Sequence, residues 1–420
     1  MRRICLLLAL LAAALLAGAC AAPAAPVSFM IFGDPAERAA YADLVAAFRE
    51  RRPDIAVELI YVPSQSDYRK RLGVDLAAGK PADVVLINYR RYAGFAAGGA
   101  LEPLGPYLAR SELIQEDDFY PQALGPFRWG GELMCIPQNL SSLVVYYNQA
   151  LFAEAGLAEP ADDWTWDDFL RAAQALTRDT DGDGRVDQYG VGTDASLFRV
   201  APFIWQNGGD LVDNPAAPTR LALDSPQARE ALQWFVDLQV RHHVAPDAVQ
   251  EQAESSESRF LSGRLGMYLN SRRGVPTYRT ITGFGWDVAP LPRGRQAAGI
   301  LHADAYCLPS ASRQKGLAWA LIEFANASEG QAIIARSGRT VPSIRAVAES
   351  PAFLDPQVAP SRSRVFIDTI PVIRAVPVME SWADIEDAVG EEIERAFYGN
   401  ASVDEVIAEA ARRTAPFFAR

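Results

Sequence analysis

The alternation of apolar and amphipathic segments between residues 27 and 88 constrains the fold more than any other feature of the sequence. Three of its segments, VSFMIF, IAVELIYV and ADVVLIN, have the apolar character of buried strands. Between them, Tyr41, Leu44, Val45 and Phe48 recur at helical spacing, and SDYRKRLGVDLAAGK is a second helical pattern. Strand, helix, strand, helix, strand predicts a parallel sheet flanked by helices, because parallel strands need a crossover connection. We therefore expect an α/β protein.

A second set of elements follows further along the chain. The second region starts near MCIPQNLSSLVVYYN, and the segments GRLGMYLNS, GFGWDVAPLP and AYCLPS are predicted strands. Thr165 and Asp168 have the spacing of a capping box at the start of a helix, and the region from Asp384 onward is predicted to be helical. A chain of 420 residues, 50% of them hydrophobic, is ample for two domains with separate cores and too long for one.

The N-terminal segment indicates where the protein resides. MRRICLLLALLAAALLAGAC contains two arginines, an apolar run and small residues before Cys20, which predicts a signal peptide over residues 1–19. The apolar run is shorter than the roughly 20 residues of a membrane-spanning helix. Small residues directly before a cysteine resemble a bacterial lipobox, so we expect lipid attachment at Cys20 and a tether over residues 20–26. An ordinary cleaved signal peptide is the alternative. In either case the protein is exported.

The charge of the chain limits its partners. The formal net charge is −12, from 52 acidic and 40 basic residues. Binding to nucleic acid needs a concentrated basic face that neutralises phosphates. We therefore expect no nucleic-acid partner, and we expect a monomer.

Residues 179–190, DTDGDGRVDQYG, follow the spacing of an EF-hand calcium loop. The twelfth position, which should be a bidentate Glu, is Gly190. A cation would relieve the repulsion among four neighbouring aspartates, so the loop is a candidate for structural Ca²⁺, and a solvated acidic turn is the alternative. No other cofactor is expected. The expected ligands are the carboxylates of Asp179, Asp181, Asp183 and Asp187 and the carbonyl of Arg185.

Seven segments of the chain occur in an order typical of one protein family. LAAGKPADVVLINYRRYAGFAAGGALEPL has a small-residue turn, a strand entry and a Gly-x-Leu-x-Pro-Leu ending. The next two segments are GELMCIPQNLSSLVVYYNQALFAEAGL and WTWDDFLRAAQALTRDTDGDGRVDQYG. The series ends with FIWQNGGDL, GRLGMYLN, GFGWDVAPLP and VPSIRAVAES. Together they resemble the extracellular solute-binding proteins of ABC importers, in the carbohydrate-binding group that includes maltose-binding protein.

This resemblance implies a type II periplasmic-binding-protein fold, with two α/β lobes, a mostly parallel sheet in each, and three hinge crossings. One lobe would comprise residues 27–136 plus 306–350, and the other residues 138–302 plus 356–420. Cys135 and Cys307 would then lie on neighbouring hinge strands, where they could form a disulfide. The implied function is the capture of a sugar or related polyhydroxy solute and its delivery to the membrane permease subunits of an ABC importer.

The resemblance and the ends of the strands together nominate ligand-binding residues. Sugars are bound by aromatic faces and by planar polar side chains, and in the family an aromatic residue at the position of Trp205 lines the cleft. Loops at the carboxyl ends of strands are the usual ligand positions in α/β lobes. Paired arginines in the cleft would favour an anionic sugar, although arginines on a solvated surface are the alternative. The candidates are Trp205, Asn207, Gly208, Gly209, Asp34, Asn88, Tyr89, Gln138, Asn139, Asn270, Arg272, Arg273, Trp286, His302 and Asp304, with a core, surface or hinge role as the alternative for each.

Two other functions stay open at this point. A calcium-stabilised, secreted glycoside hydrolase would need paired carboxylates, which an acidic chain does not exclude, but the sequence has no Gly-x-Ser-x-Gly elbow and no His-Glu-x-x-His pair. A surface receptor that docks to a sensor would share the same fold. We expect a binding protein rather than an enzyme, and the sequence does not distinguish an oligosaccharide from a polyol, a glycerol phosphate or a sugar acid as its ligand.

Overall fold

The structure is a computed structural model that describes residues 25–419. The predicted signal peptide and Cys20 lie outside the described residues. No helix within residues 25–419 combines the length and the apolar character needed to cross a membrane.

Strands and helices alternate along the described chain. The strands are β1 (Val27–Phe32), β2 (Val57–Val62), β3 (Val84–Asn88), β4 (Arg128–Trp129), β5 (Glu132–Leu133), β6 (Cys135–Pro137), β7 (Val144–Asn148), β8 (Tyr189–Gly192), β9 (Leu265–Asn270), β10 (Trp286–Ala289), β11 (Gly299–Ile300), β12 (Asp304–Cys307) and β13 (Ile373–Arg374). The helices are α1 (Pro35–Arg51), α2 (Gln65–Ala77), α3 (Tyr92–Ala97), α4 (Gly105–Leu108), α5 (Pro121–Leu124), α6 (Gln149–Glu154), α7 (Trp166–Leu176), α8 (Leu197–Gln206), α9 (Pro226–Val240), α10 (Ala248–Ala253), α11 (Ser256–Leu261), α12 (Val275–Tyr278), α13 (Lys315–Asn326), α14 (Ser328–Arg336), α15 (Arg345–Ala348), α16 (Val365–Asp368), α17 (Trp382–Phe397) and α18 (Val403–Phe418). Short 3-10 turns occur at Glu116–Asp118, Gly125–Phe127, Arg272–Gly274 and Ile370–Val372.

The first sheet has the strand order β2-β1-β3-β12-β6. β1 pairs in parallel with β2 and with β3, which places Phe29 opposite both Leu59 and Val84. The parallel unit predicted from residues 27–88 is therefore confirmed. β12 is antiparallel to both of its neighbours. Helices α13 and α14 pack on α1, and we call this sheet with α1, α2, α13 and α14 the first lobe.

The second sheet has the strand order β10-β7-β9-β8. β8 and β9 are parallel, whereas β7 is antiparallel to β9 and to β10. The C-terminal helices α17 and α18 pack on each other and on α9, and Phe397 of α17 lies 5.2 Å from Phe235 of α9 between ring centroids. We call this sheet with α7, α8, α9, α17 and α18 the second lobe.

One strand in each lobe runs against the others, namely β12 in the first lobe and β7 in the second. Each of these strands directly follows a segment that passes between the lobes. A strand that enters a sheet from the side where its neighbours end must run opposite to them. The predicted two-lobe α/β architecture is thus confirmed, with a single reversed strand in each otherwise parallel sheet, while the exact limits of the lobes stay a prediction.

The helices begin where the sequence supplies a cap. Pro35 occupies the first position of α1, where no amide donor is needed, and the Asp34 carboxylate accepts a hydrogen bond of 2.9 Å from the Glu37 amide. The capping box predicted at α7 is confirmed, since Thr165 N donates to Asp168 and Asp168 N donates to the Thr165 hydroxyl. A cap of this kind contributes about 1 kcal/mol to helix stability.

The segments that connect the lobes lie side by side. Ser141, between β6 and β7, exchanges two backbone hydrogen bonds of 2.8 Å with His302, which precedes β12. Leu140 N also donates to Val341 O at 3.1 Å. The two connecting segments therefore form a narrow hinge, which the first-lobe segment around Val341 supports.

Cys135 on β6 and Cys307 on β12 lie directly opposite each other and form a disulfide. Both residues are buried, and they are separated by 172 positions in the sequence. The bond therefore joins the strand that leaves the first lobe to the strand that returns to it.

We expect the double substitution Cys135→Ala and Cys307→Ala to lower the free energy of unfolding by about 2–4 kcal/mol, because a closed loop of this length restricts the unfolded chain. Urea denaturation of a protein that lacks residues 1–20 measures the change. The wild-type protein without residues 1–20 should contain no titratable thiol when it is oxidised and then unfolded. Two free thiols would contradict the bond.

Candidate ligand-binding cleft

A cavity of about 170 Å³ lies where strand ends of the two lobes face each other. β3 ends there at Asn88, β9 ends there at Asn270, and β12 begins there at Asp304. The hinge contributes Asn139 and His302 to the lining. We call this space the cleft. Ligands of α/β lobes bind at such strand ends, so the cleft is the candidate site.

Three polar side chains on the first-lobe side of the cleft hold one another. Asn88 Nδ2 donates to Asp304 Oδ1 at 3.1 Å, and Asp304 N donates to Asn139 Oδ1 at 2.8 Å. Burial raises the pKa of the Asp304 carboxyl, although Asn88 and nearby arginines act in the opposite direction. The Asp304 carboxyl is thus held by Asn88, while Asn139 binds the backbone amide of Asp304, and this grouping of carboxyl and amide side chains suits the recognition of neighbouring hydroxyl groups on a ligand.

Arg339 forms an ion-pair cluster at the same edge of the first lobe. Its guanidinium lies 2.7 Å from Glu37 Oε2 and also pairs with Asp34. Gly33 has a φ of +132°, and a Cβ there would lie 1.5 Å from Glu37 Oε2. Glycine at this position therefore lets the Glu37 carboxyl fold back against the end of β1. Burial raises the pKa of Glu37 to about 7, although Arg339 and Arg273 act in the opposite direction.

Arg90 links the two lobes. Its Nε donates to Asn88 Oδ1 at 3.2 Å, and its guanidinium lies 4.1 Å from the centroid of the Phe198 ring in α8. It also forms an ion pair with Glu386 of α17. Both partners of this pair are largely buried, so solvent screens it little. Arg90 thus connects the end of β3 to two helices of the second lobe.

The second-lobe wall of the cleft carries Arg199 and Arg273. Arg199 donates from Nε and Nη2 to Asp194 Oδ2 at 3.0 and 2.7 Å, and Nη2 approaches Asn270 Oδ1 at 3.4 Å. The Arg199 Nη1 atom is buried and has no hydrogen-bond partner in the described part of the chain. Arg273 lies at the rim, where its Nη1 is 3.5 Å from Gln65 Oε1 of the first lobe.

His302 presents a second polar atom without a partner. Its ring centroid lies 4.2 Å from that of Phe198, and its Nε2 is buried without a hydrogen bond to any residue between 25 and 419. Burial, followed by the charge of Arg199, lowers the pKa of His302 well below its usual value, so the ring is neutral near pH 7. Native proteins seldom leave buried polar atoms unpaired, and such atoms at a cleft are suited to a ligand.

Several of the predicted ligand-binding residues line the cleft. They are Asn88, Asn139, Asn270, Arg273, His302 and Asp304. Asp34 stands beside them through its pair with Arg339, although its side chain also caps α1. Contact of these residues with a ligand stays a prediction.

The predicted group around Trp205 is placed elsewhere, which corrects the expectation of an aromatic cleft wall at this position. Trp205 is 1% exposed within α8, and its indole donates to Asp210 Oδ1 at 3.0 Å. The Asn207 amide donates to Gln227 O and Glu230 Oε2. Gly208 has a positive φ of 84° where α8 ends, and Gly209 packs against α9, since a Cβ on it would lie 2.8 Å from Ala228 N. These two glycines serve helix packing rather than the approach of a ligand.

Four further candidates also have structural roles that remove their side chains from the cleft. Trp286 is buried in β10 beside Tyr146, and the buried Tyr89 hydroxyl accepts a bond of 3.4 Å from Val376 N. Gln138 Oε1 accepts a bond of 2.9 Å from the Tyr41 hydroxyl. The buried Arg272 guanidinium donates to Gly338 O at 2.7 Å and to Ser363 Oγ at 2.9 Å, behind the cleft.

The sequence analysis missed Glu37, Arg90, Ser141, Arg199 and Arg339, all of which line the cleft. Arg90 follows the β3 end by two residues, so extending the strand-end rule would have found it. Arg199 is the single charged residue in the otherwise apolar helix LFRVAPFIWQ, which is also a usable signal. Arg339 offers no comparable signal. It lies in residues 338–342, outside the helices and strands, and only the path of this segment brings its side chain to the cleft.

The acidic loop brings three of its four predicted carboxylates together. Asp179, Asp181 and Asp187 each place an oxygen within 4.8 Å of the others. Asp183 is a correction, since its Oδ1 accepts a bond of 2.8 Å from the Arg185 amide and the residue does not belong to this group. A Cβ at Gly190 would lie 1.9 Å from Ala173 O in α7, which explains why position twelve of the loop cannot hold the usual Glu.

Two α/β lobes around a polar cleft, joined by a narrow hinge, define the class of two-lobe, type II periplasmic-binding proteins. An ABC substrate-binding protein of Listeria monocytogenes in complex with cycloalternan shares this fold with a TM-score of 0.85, at 22% identity, over 93% of this chain and 98% of that one. A solute-binding protein of Thermotoga lettingae bound to α-D-tagatose has a TM-score of 0.82, at 23% identity, over 94% and 99% of the two chains.

The family model of bacterial extracellular solute-binding proteins matches residues 33–332. The chain therefore belongs to that family, and the resemblance found in the sequence is confirmed. A mannitol-binding protein of Pseudomonas aeruginosa is 25% identical over 404 residues, which cover 89% of this chain and 88% of that protein. The family and these relatives are binding proteins.

The raised pKa of Glu37 predicts a pH effect on stability. Between its ordinary value near 4.5 and about 7, the folded protein retains a proton on Glu37 that the unfolded chain releases. The free energy of unfolding contributed by this group therefore falls as pH rises through that window, by about 1.4 kcal/mol per pKa unit at most.

We expect Glu37→Gln to lose less stability than the wild type between pH 5 and pH 8, because the amide cannot ionise. Urea denaturation at both pH values measures the difference, with Glu50→Gln on the exposed face of α1 as the matched control. Equal losses in the wild type and in Glu37→Gln would show that burial does not hold the proton.

Proposed function

We propose that the chain is an exported substrate-binding protein that captures a sugar or related polyhydroxy solute and delivers it to the permease subunits of an ABC importer. The observation that carries this proposal is the polar cleft between the lobes, in which Arg199 Nη1 and His302 Nε2 have no hydrogen-bond partner among residues 25–419. Membership of the solute-binding family supports it, as do the mannitol, cycloalternan and tagatose named for its relatives. Lipid attachment at Cys20 would hold the protein at the cell membrane.

The chemistry of the cleft favours a ligand with hydroxyl groups. Amide donors, amide acceptors and a carboxyl group lie together in one hydrogen-bonded group, formed by Asn88, Asn139 and Asp304. Phe32 adds an aromatic side chain to the same lining, and aromatic faces suit the C–H patches of a sugar ring. The cavity of about 170 Å³ is smaller than the roughly 300–1,000 Å³ of sites for drug-sized ligands. A second cavity adjoins it along Asn88, Arg90 and Asp304, so the space open to a ligand is larger than this value.

A thermal-shift panel of sugars, polyols, sugar acids and sugar phosphates tests this function. We expect a selective ligand to raise the melting temperature, because a ligand at 100 times its Kd stabilises the folded state by about 2.7 kcal/mol. Asp304→Asn should bind the same ligand at least tenfold more weakly, while Asp43→Asn, an exposed position of α1, should bind it normally. Incubation with sugar polymers should release no product. If every compound leaves the melting temperature unchanged, the proposal is wrong.

We also propose that the acidic loop holds a structural Ca²⁺ ion. The three converging carboxylates of Asp179, Asp181 and Asp187 supply hard oxygen ligands, and Gly190 removes the bidentate ligand, so affinity should be lower than in a calcium sensor. The solvated acidic turn remains the alternative outcome.

We expect millimolar calcium to raise the melting temperature of the wild type and to leave that of Asp181→Asn unchanged. Removing one of three carboxylates weakens the site, whereas Asp163→Asn, which removes the same charge from an exposed position nearby, should keep the calcium response. A calorimetric scan with calcium or with a chelator measures both. An identical response in Asp181→Asn and the wild type would place calcium elsewhere.

A further inference from the structure

The walls of the cleft are basic although the chain as a whole is acidic. The chain has 40 basic and 52 acidic residues. A second cavity of about 390 Å³ adjoins the cleft and shares Asn88, Arg90 and Asp304 with it. The carboxylates that line the two cavities are those of Glu37 and Asp304. Apart from Arg272, whose guanidinium is turned away, the arginines that line them are Arg69, Arg90, Arg91, Arg199, Arg273 and Arg339.

Protein carboxylates neutralise only part of this charge. Arg339 pairs with Asp34 and Glu37. Arg90 and Arg91 pair with two acidic residues of α17, Glu386 and Asp387. These three arginines are therefore compensated within the fold and contribute mainly to its closure.

Arg199 and Arg273 are different, and both face the same cavity. Arg199 is 8% exposed, and the side chain of its carboxylate partner, Asp194, is 60% exposed and so weakened by solvent. Arg199 Nη1 is buried without a partner in the described chain. Arg273 Nη1 lies 3.5 Å from the neutral Gln65 Oε1, and the charge of Arg273 also acts on the carboxyl groups of Glu37 and Asp304 across the cavity.

A buried guanidinium N–H without an acceptor costs stability, on the order of 1–3 kcal/mol for the unsatisfied group. An anionic oxygen group would remove this cost, since guanidinium and carboxylate or phosphate form short, charge-assisted and often bidentate bonds. A neutral hydroxyl would satisfy the N–H but would leave the positive charge of Arg199 and Arg273 only partly compensated by Asp194, Glu37 and Asp304. The arrangement therefore favours an anion over a neutral ligand.

We propose that the solute captured in the cleft carries an anionic oxygen group, a carboxylate or a phosphate, which Arg199 and Arg273 hold from the second lobe. Its hydroxyl groups face Asn88, Asn139 and Asp304 on the opposite side of the cleft. This inference rests on the proposed function and narrows it to sugar acids, polyol acids or sugar phosphates. The ligand is thereby oriented, with its charged end toward α8.

Matched pairs of ligands test the inference by isothermal titration calorimetry. The pairs are glucuronate with glucose, galacturonate with galactose, gluconate with sorbitol, and glucose 6-phosphate with glucose. We expect the anionic member of at least one pair to bind at least tenfold more tightly, and its affinity to fall as salt is raised from 50 to 500 mM because ions screen charge. The pair that responds tells whether the group is a carboxylate or a phosphate.

Two variants assign the preference to the named residues. Arg273→Gln, at an exposed position that should not disturb folding, and Arg199→Gln should each reduce the anionic preference at least fivefold. Arg241→Gln removes the same charge from the exposed end of α9 and should leave the preference unchanged.

Tight binding of a neutral member with no gain for its acid or phosphate would overturn this inference and leave the proposed function standing. An anionic preference that survives in Arg273→Gln and Arg199→Gln would overturn the assignment to these residues. Absence of binding by every member of a folded protein would overturn both the inference and the proposed function.

Discussion

The antiparallel insertion of β12 between β3 and β6 is the constraint on which the rest of the structure depends. Residues 304–307 pair with β3 on one side, and residues 305–307 pair with β6 on the other, yet the chain reaches them only after forming the sheet of the second lobe. The chain leaves the first lobe after β6 and returns to it at β12. These two strands are neighbours, and the disulfide joins them. The lobes share a short boundary, so bending at the hinge is the motion that the topology allows.

The same insertion assembles the cleft. Asp304 begins β12 directly opposite Asn88, which ends β3, and Asn139 follows the end of β6. Three residues that are far apart in sequence thus become one hydrogen-bonded set, in which each buried polar group is satisfied by another. Burying such groups would be costly without these partners. Arg199 Nη1 on the second lobe and His302 Nε2 at the hinge are buried without a hydrogen bond to any residue between 25 and 419, so both atoms are available to a ligand.

The sequence predicted those parts of the fold and the site that follow from backbone geometry. Parallel strands end on one side of a sheet, so the strand-end rule placed Asn88 and Asn270 at the cleft, whereas Asp304 begins β12 and was nominated by its position beside the predicted hinge crossing. The aromatic cleft wall that the resemblance implied at Trp205 is not found, because all ten residues of α8, Trp205 among them, are buried. Arg339 was not predicted for another reason. Its long side chain reaches the site from a segment outside the helices and strands, and the position of that segment depends on tertiary packing.

Closure of the lobes and binding of a ligand draw on the same groups. Arg90 and Arg273 line the cavity and also contact the opposite lobe, through Glu386 and Gln65 respectively. A ligand that bonds to both walls stabilises only the closed form, and it shifts the equilibrium between open and closed forms by that difference in binding free energy.

Arg272 has a structural role beside the cleft. Its buried guanidinium binds Gly338 and Ser363 behind the cleft, so it fixes the end of β9 whether or not the cleft is filled. Its neighbour Arg273 lies at the rim of the cavity, so the two arginines of this 3-10 turn have separate roles, one holding the segment after β9 and the other facing the cleft.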